Sequence, residues 1–153
     1  MIKELHAEDV MTLDPLVLLP DQSVKDAAKL FVENSVSSAA VIDDGRLVGV
    51  VSETDLIMQE VKLHFPTFIH FLDSYIYLEG LSRFESDLKK AVAASVFDVM
   101  TGEPKTALRE TTVADIATLM EEKDIHCIPV LDEDERLVGM VTKSDIVRAL
   151  ARN

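Results

Sequence analysis

Arg46-Leu47-Val48-Gly49-Val50-Val51-Ser52-Glu53-Thr54-Asp55 returns ninety residues later as Arg136-Leu137-Val138-Gly139-Met140-Val141-Thr142-Lys143-Ser144-Asp145. Upstream the two halves stay in step at an offset of 89. Val10-Met11-Thr12 meets Val99-Met100-Thr101, Pro15 meets Pro104, Val24 meets Val113, Asp26 meets Asp115, and Val41 meets Val130. The extra residue falls between Asp43-Asp44-Gly45 and Asp132-Glu133-Asp134-Glu135. A turn tip is where an insertion disturbs strand pairing least. So many matches with one gap in a turn identify an internal duplication.

Each copy predicts the same succession of elements. An extended piece follows the proline, Leu16–Leu19 in one copy and Lys105–Leu108 in the other. Val24, Ala27, Ala28 and Phe31, and likewise Val113, Ile116, Ala117 and Met120, recur at helical spacing. Asp21 and Ser23, or Thr111 and Thr112, offer oxygens for the helix N-cap. Ala39–Ile42 and Arg46–Ser52 flank an Asp-Gly pair and predict a hairpin, because that pair tolerates the positive φ angles of a tight turn. A second helix starts near Thr54-Asp55 or Ser144-Asp145. The unit is βαββα. One unit alone would leave a sheet face bare, so two packed together form an α/β (α+β) module. Its expected boundaries are 1–58 for the first copy, 59–95 for a segment that belongs to neither, and 96–153 for the second.

That middle segment holds four of the six phenylalanines and both tyrosines. Phe65, Phe68, Ile69, Leu72 and Ile76, then Leu81, Phe84, Leu88 and Val92, lie at helical spacing and predict two helices. An apolar helix of this kind needs cover, from its own chain, from a second copy or from a docked partner.

Composition narrows the function. The formal charge of −13 disfavours nucleic acid and anionic membrane surfaces, since both require clustered Lys and Arg. No apolar run is long enough for a membrane span, and the start lacks a basic segment followed by an apolar one. Cys127 is the single cysteine, which permits neither an internal disulfide nor a multi-cysteine metal site. These features predict a cytoplasmic protein that binds neither nucleic acid nor membrane. No Gly-rich phosphate loop and no nucleophile with a base at useful spacing is present, so an enzyme is not expected.

The pattern Val-Met-Thr, an amphipathic helix, Ile128-Pro129-Val130-Leu131-Asp132 and Gly139 to Asp145 resembles a CBS motif, named after a domain of cystathionine β-synthase. Gly49 to Asp55 is the matching signature in the first copy, where Ala40 replaces the proline found at Pro129. The resemblance implies two motifs packed about a pseudo-twofold axis, often dimerising. It also implies clefts that take AMP, ADP, ATP or S-adenosylmethionine, with no obligatory cofactor. The module would then modulate a separate partner protein. The alternative is a ligand-independent interaction or dimerisation module that docks its partner through the middle segment.

Position by position, the resemblance places Ser52 and Asp55 opposite Lys105, Thr106, Ala107, His126, Cys127 and Ile128. It places Thr142 and Asp145 opposite Leu16, Val17, Ser37, Ser38 and Ala39. An aspartate at such a strand-to-helix junction can accept bonds from both hydroxyls of a ribose. The same Ser-x-x-Asp spacing also reads as a helix cap, and both roles can hold together. Lys105 and His126 suit phosphate oxygens, although a lone histidine at a strand start also reads as structural. Cys127 reads equally as a small buried filler. The expected preference of a phosphorylated adenosine is therefore for the Asp55 cleft.

Overall fold

The computed structural model describes residues 2–59, 61 and 94–152. The two helices expected within the middle segment fall on residues outside that set. In chain order the described elements are α1 (Ala7–Val10), β1 (Thr12–Leu13), β2 (Val17–Leu18), α2 (Val24–Asn34), β3 (Ser38–Asp43) and β4 (Arg46–Ser52). A helix, α3, then runs over residues 53–59. The second copy follows as α4 (Val96–Val99), β5 (Thr101–Gly102), β6 (Ala107–Leu108), α5 (Val113–Glu122), β7 (Cys127–Leu131), β8 (Leu137–Thr142) and α6 (Lys143–Arg152).

Local chemistry explains most boundaries. Ser23 and Thr112 cap α2 and α5, each hydroxyl accepting the backbone N–H three residues on. Thr111 does otherwise, its hydroxyl accepting from the Leu108 N–H. The first hairpin turns on Asp44 and Gly45, both at positive φ, a two-residue loop whose twist matches that of its strands. The second hairpin turns on three residues. Asp132 Oδ1 accepts from the backbone N–H groups of Asp134 and Arg136, and Glu135 takes the positive φ. The one-residue change of offset is the difference between these two turns.

The copies exchange their first elements. One sheet has the order β1-β8-β7-β6, the other β2-β3-β4-β5. Thus β1, from the start of the chain, pairs antiparallel with β8 of the second copy, and β5 pairs with β4 of the first. Backbone bonds repeat the exchange at equivalent positions. Ala7 N–H donates to Thr111 and Val113 N–H to Leu5, while Val96 N–H donates to Gln22 and Val24 N–H to Ala94. Each core is completed the same way. Ala7 is buried with Ile116, Ile128 and Val141, and Val96 with Phe31, Val41 and Val51. Each core thus includes a buried residue of the other copy's first helix. A third cluster, Ala40, Cys127 and Met140, lies between the sheets. It joins residues of β3 to residues of β7 and β8 and so links the two halves directly.

The two-residue strands and one-turn helices of this exchange carry no periodicity, which is why the βαββα reading omitted them. Gly49 and Gly139 make it possible. A Cβ on Gly49 would stand 2.5 Å from Met100 Sδ and 2.9 Å from the Thr101 carbonyl oxygen. A Cβ on Gly139 would stand 2.5 Å from Met11 Sδ and 3.1 Å from the Thr12 carbonyl oxygen. The repeated glycine is where the neighbouring copy's Met-Thr crosses.

Candidate functional site

Both Ser/Thr-x-x-Asp segments sit where a strand hands over to a helix, and both form capping boxes. Asp55 Oδ2 accepts from the Ser52 N–H at 2.8 Å and the Ser52 hydroxyl at 3.1 Å, and the same hydroxyl accepts the Asp55 N–H. Asp145 Oδ2 accepts from the Thr142 N–H and hydroxyl, each at 2.8 Å. The structure therefore realises the cap reading of the spacing. It leaves one carboxylate oxygen of each aspartate, Oδ1, outside the cap.

The two Oδ1 atoms differ. On Asp145 it accepts the Thr12 hydroxyl at 3.2 Å and lies 3.2 Å from an Arg148 guanidinium nitrogen. A carboxylate has about four acceptor sites, so Asp145 is saturated, and it is only 3% exposed. On Asp55, Oδ1 has no hydrogen-bond partner among the described residues, and the side chain is only partly buried. Residue 58, which takes Arg148's place in the first copy, is a methionine.

Each aspartate lines a cavity between the copies. The Asp55 cavity, about 410 Å³, has Ser52, Lys105, His126 and Cys127 in its wall. Thr101, Glu103, Lys123 and Asp124 also line it. Thr106, Ala107 and Ile128 do not. Ala107 and Ile128 point into the second copy's core, and Thr106 faces solvent. The Asp145 cavity is larger, about 630 Å³, and is lined by Thr142, Leu16, Ser37 and Ser38 together with Arg148 and Glu53. Val17 and Ala39 stay outside it, Val17 on the surface and Ala39 fully buried in the first copy's core. Both volumes are those of small-molecule sites.

The copies also differ at the hairpin entry. In the first, the Ala40 N–H donates to the Leu16 carbonyl. Pro129 has no N–H, so the equivalent bond to the Lys105 carbonyl does not form, and Lys105 is among the residues that line the Asp55 cavity. Burial pushes the Cys127 thiol above its ordinary range, opposed by the Ser38 hydroxyl and reinforced by the Asp55 charge. A thiol so placed is protonated at neutral pH and inert, in keeping with a packing role.

Sequence spacing does not mark Lys123, Thr12 or Thr101 as site residues. Lys123 is the C-cap of α5 and its first-copy counterpart is Asn34, so the duplication gave no hint of it. The threonines were visible in the repeated Val-Met-Thr, but their place beside the aspartates depends on the exchange of β1 and β5. Among the described residues no group of three or more His, Cys, Asp or Glu side chains is arranged to hold a metal ion. No helix among them is long and apolar enough to cross a membrane.

Comparison with known proteins agrees with this architecture. The CBS domain family model matches residues 7–61 and 96–152. The chain is 32% identical over 151 residues to the uncharacterized protein MJ1426 of Methanocaldococcus jannaschii, covering 94% of this chain and 89% of that one. A crystal structure of CBSX2, a CBS-pair protein of Arabidopsis thaliana, in complex with AMP superposes with a TM-score of 0.71 at 32% identity, covering 96% of each chain. The CBS domain pair of protein MJ0100, in complex with 5′-methylthioadenosine and S-adenosyl-L-methionine, superposes with a TM-score of 0.73, covering 95% of this chain and 99% of that one. At 21% identity it shows the shared fold alone. With two matched motifs and a sheet made jointly by each pair, this chain belongs to the CBS domain family.

Proposed function

We propose that the chain is a regulatory module that binds an adenosine-type ligand between its CBS motifs, leaves it chemically unchanged, and through it modulates a separate partner protein. The observation that carries this reading is Asp55 Oδ1, without a hydrogen-bond partner among the described residues, in a cavity shared with Lys105, Lys123 and His126. A ribose hydroxyl can donate to that oxygen. The lysines and the histidine suit phosphate oxygens, and the Lys105 carbonyl can accept from an exocyclic amine. AMP, ADP and ATP bring phosphate oxygens for these groups to meet, which S-adenosylmethionine lacks. The AMP complex of CBSX2, a relative at 32% identity, supports the same ligand class. A cytoplasmic setting belongs to the same proposal.

Calorimetric titration with AMP, ATP and S-adenosylmethionine tests it. The expected result is one strong site for the nucleotides and weaker binding of S-adenosylmethionine. S-adenosylmethionine binding as tightly as AMP would remove the phosphate preference. Silence from all three would favour a ligand-independent interaction module.

The last helix of each copy carries exposed apolar side chains at equivalent places. Ile57 is 60% and Val147 62% exposed, with Met58, Val61 and Leu150 beside them in sequence. Such faces support pairing with a second copy. Sedimentation velocity is expected to show a dimer, and charged substitutions at Ile57 and Val147 are expected to convert it to a monomer. A wild-type protein that sediments as a monomer at micromolar concentration would reject the pairing.

A further inference from the structure

The Asp145 side carries a second feature that the first copy lacks. Thr12, Asp145 and Arg148 line the intercopy cavity and also a neighbouring cavity of about 420 Å³ beside the N-terminal segment, so the cluster forms part of the wall between them. Arg148 holds Asp145 from three residues further along α6, and its own side chain is 65% exposed. The guanidinium is thus reached by water, while the carboxylate it holds is 2% exposed. The oxygen it holds is the one that the cap leaves available, the counterpart of the open oxygen on Asp55.

We propose that Arg148 is a specificity-determining residue that guards the Asp145 cleft against ribose, so that the module carries one open and one guarded adenosine site. This rests on reading the Asp55 cleft as an adenosine site. The guard works by occupancy. A ribose hydroxyl approaching Asp145 Oδ1 must replace the Arg148 guanidinium, the Thr12 hydroxyl, or both, whereas Asp55 Oδ1 has no hydrogen-bond partner among the described residues to be replaced. The larger cavity is therefore the weaker site. The difference arises at two places, arginine at 148 against methionine at 58 and the Thr12 hydroxyl, whose counterpart Thr101 makes no hydrogen bond to Asp55 among the described residues.

Calorimetric titration of AMP against wild type, Arg148→Met, Thr12→Val and the double variant Asp55→Ala/Arg148→Met tests this. In Arg148→Met the weaker site is expected to tighten by about tenfold, with the Asp55 site unchanged. Thr12→Val is expected to shift it in the same direction. The double variant is expected to keep one AMP site that Asp55→Ala alone lacks at the same AMP concentration. The melting temperature without ligand separates roles, because a purely structural arginine would lower it and leave the second site as in wild type. Unaltered or weakened binding at the second site in both Arg148→Met and Thr12→Val overturns the guard, and weakening would make Arg148 a ligand contact instead. If neither wild type nor any variant binds AMP, the adenosine reading itself fails. If wild type binds at Asp55 and only the second site ignores the substitutions, the guard alone fails.

Discussion

Asp55→Ala is expected to weaken AMP binding by about a hundredfold while leaving the fold intact. A hydrogen bond to a charged group contributes about 1.5–3 kcal/mol. Losing two bonds at the low end of that range, one for each lone pair of Oδ1, amounts to about 3 kcal/mol, or roughly two decades in the dissociation constant. The carboxylate also caps α3, so the same substitution costs stability of about 1 kcal/mol. Ser52→Ala separates the two effects. It removes the cap hydroxyl but leaves Oδ1 in place, and it is expected to lower the urea midpoint with AMP affinity changed only a few-fold.

Asp145→Ala is expected to behave in the opposite way. Asp145 is nearly inaccessible and answers the Thr142 N–H, the Thr142 and Thr12 hydroxyls and the Arg148 guanidinium. Deleting it removes the acceptor of the part-buried Thr142 N–H and hydroxyl, where an unpaired polar group costs about 1–3 kcal/mol, while the exposed Thr12 and Arg148 turn to water. Its main effect is therefore on stability and only secondarily on AMP. Equal losses of AMP affinity from the two alanine substitutions would contradict the distinction between the clefts. So would a loss confined to Asp145→Ala.

Much of this architecture was legible because the chain can be compared with itself. The helices α2 and α5, both hairpins and both capping boxes follow from residues that recur in register. Even the unequal turns could be placed, since the offset changes between Asp43 and Arg46. What escaped was the exchange of α1 with β1 and of α4 with β5. Pairing between copies leaves no mark on two-residue strands, and a one-turn helix is shorter than any periodic pattern. The site followed the same division. Lys105, His126, Cys127, Leu16, Ser37 and Ser38 line the cavities. Their neighbours Ile128 and Ala39 do not, because successive side chains on a strand point to opposite faces. With Cys127 and Ser38 facing a cleft, the next residue in each strand must face a core. The saturation of Asp145 was beyond reach from spacing alone. The Thr12 hydroxyl arrives from 133 positions away through the exchanged strand.

Gly49→Val is expected to destabilise the protein by about 3 kcal/mol, at the upper end of the cost of overpacking a close contact, and to abolish AMP binding at the Asp55 cleft. The first atom added already falls 2.5 Å from Met100 Sδ and 2.9 Å from a backbone carbonyl. The methionine end can move, but the Thr101 carbonyl belongs to β5, whose pairing with β4 passes through Gly49↔Gly102 and Val50↔Thr101. A valine side chain must therefore lift β5 from its sheet. Thr101, Glu103, Pro104 and Lys105 leave with it, and they form one side of the Asp55 cavity. Gly139→Val is the matched control. It collides with Met11 and Thr12 across the other sheet, so a similar loss of stability is expected, with the Asp55 cleft still competent for AMP. Urea denaturation measures the first effect and calorimetry the second. A Gly49→Val protein that binds AMP normally would show that the exchanged strand does not build the cleft. Loss of AMP binding in Gly139→Val alone would move the nucleotide to the Asp145 side, where the exchanged strand carries Thr12 to the aspartate.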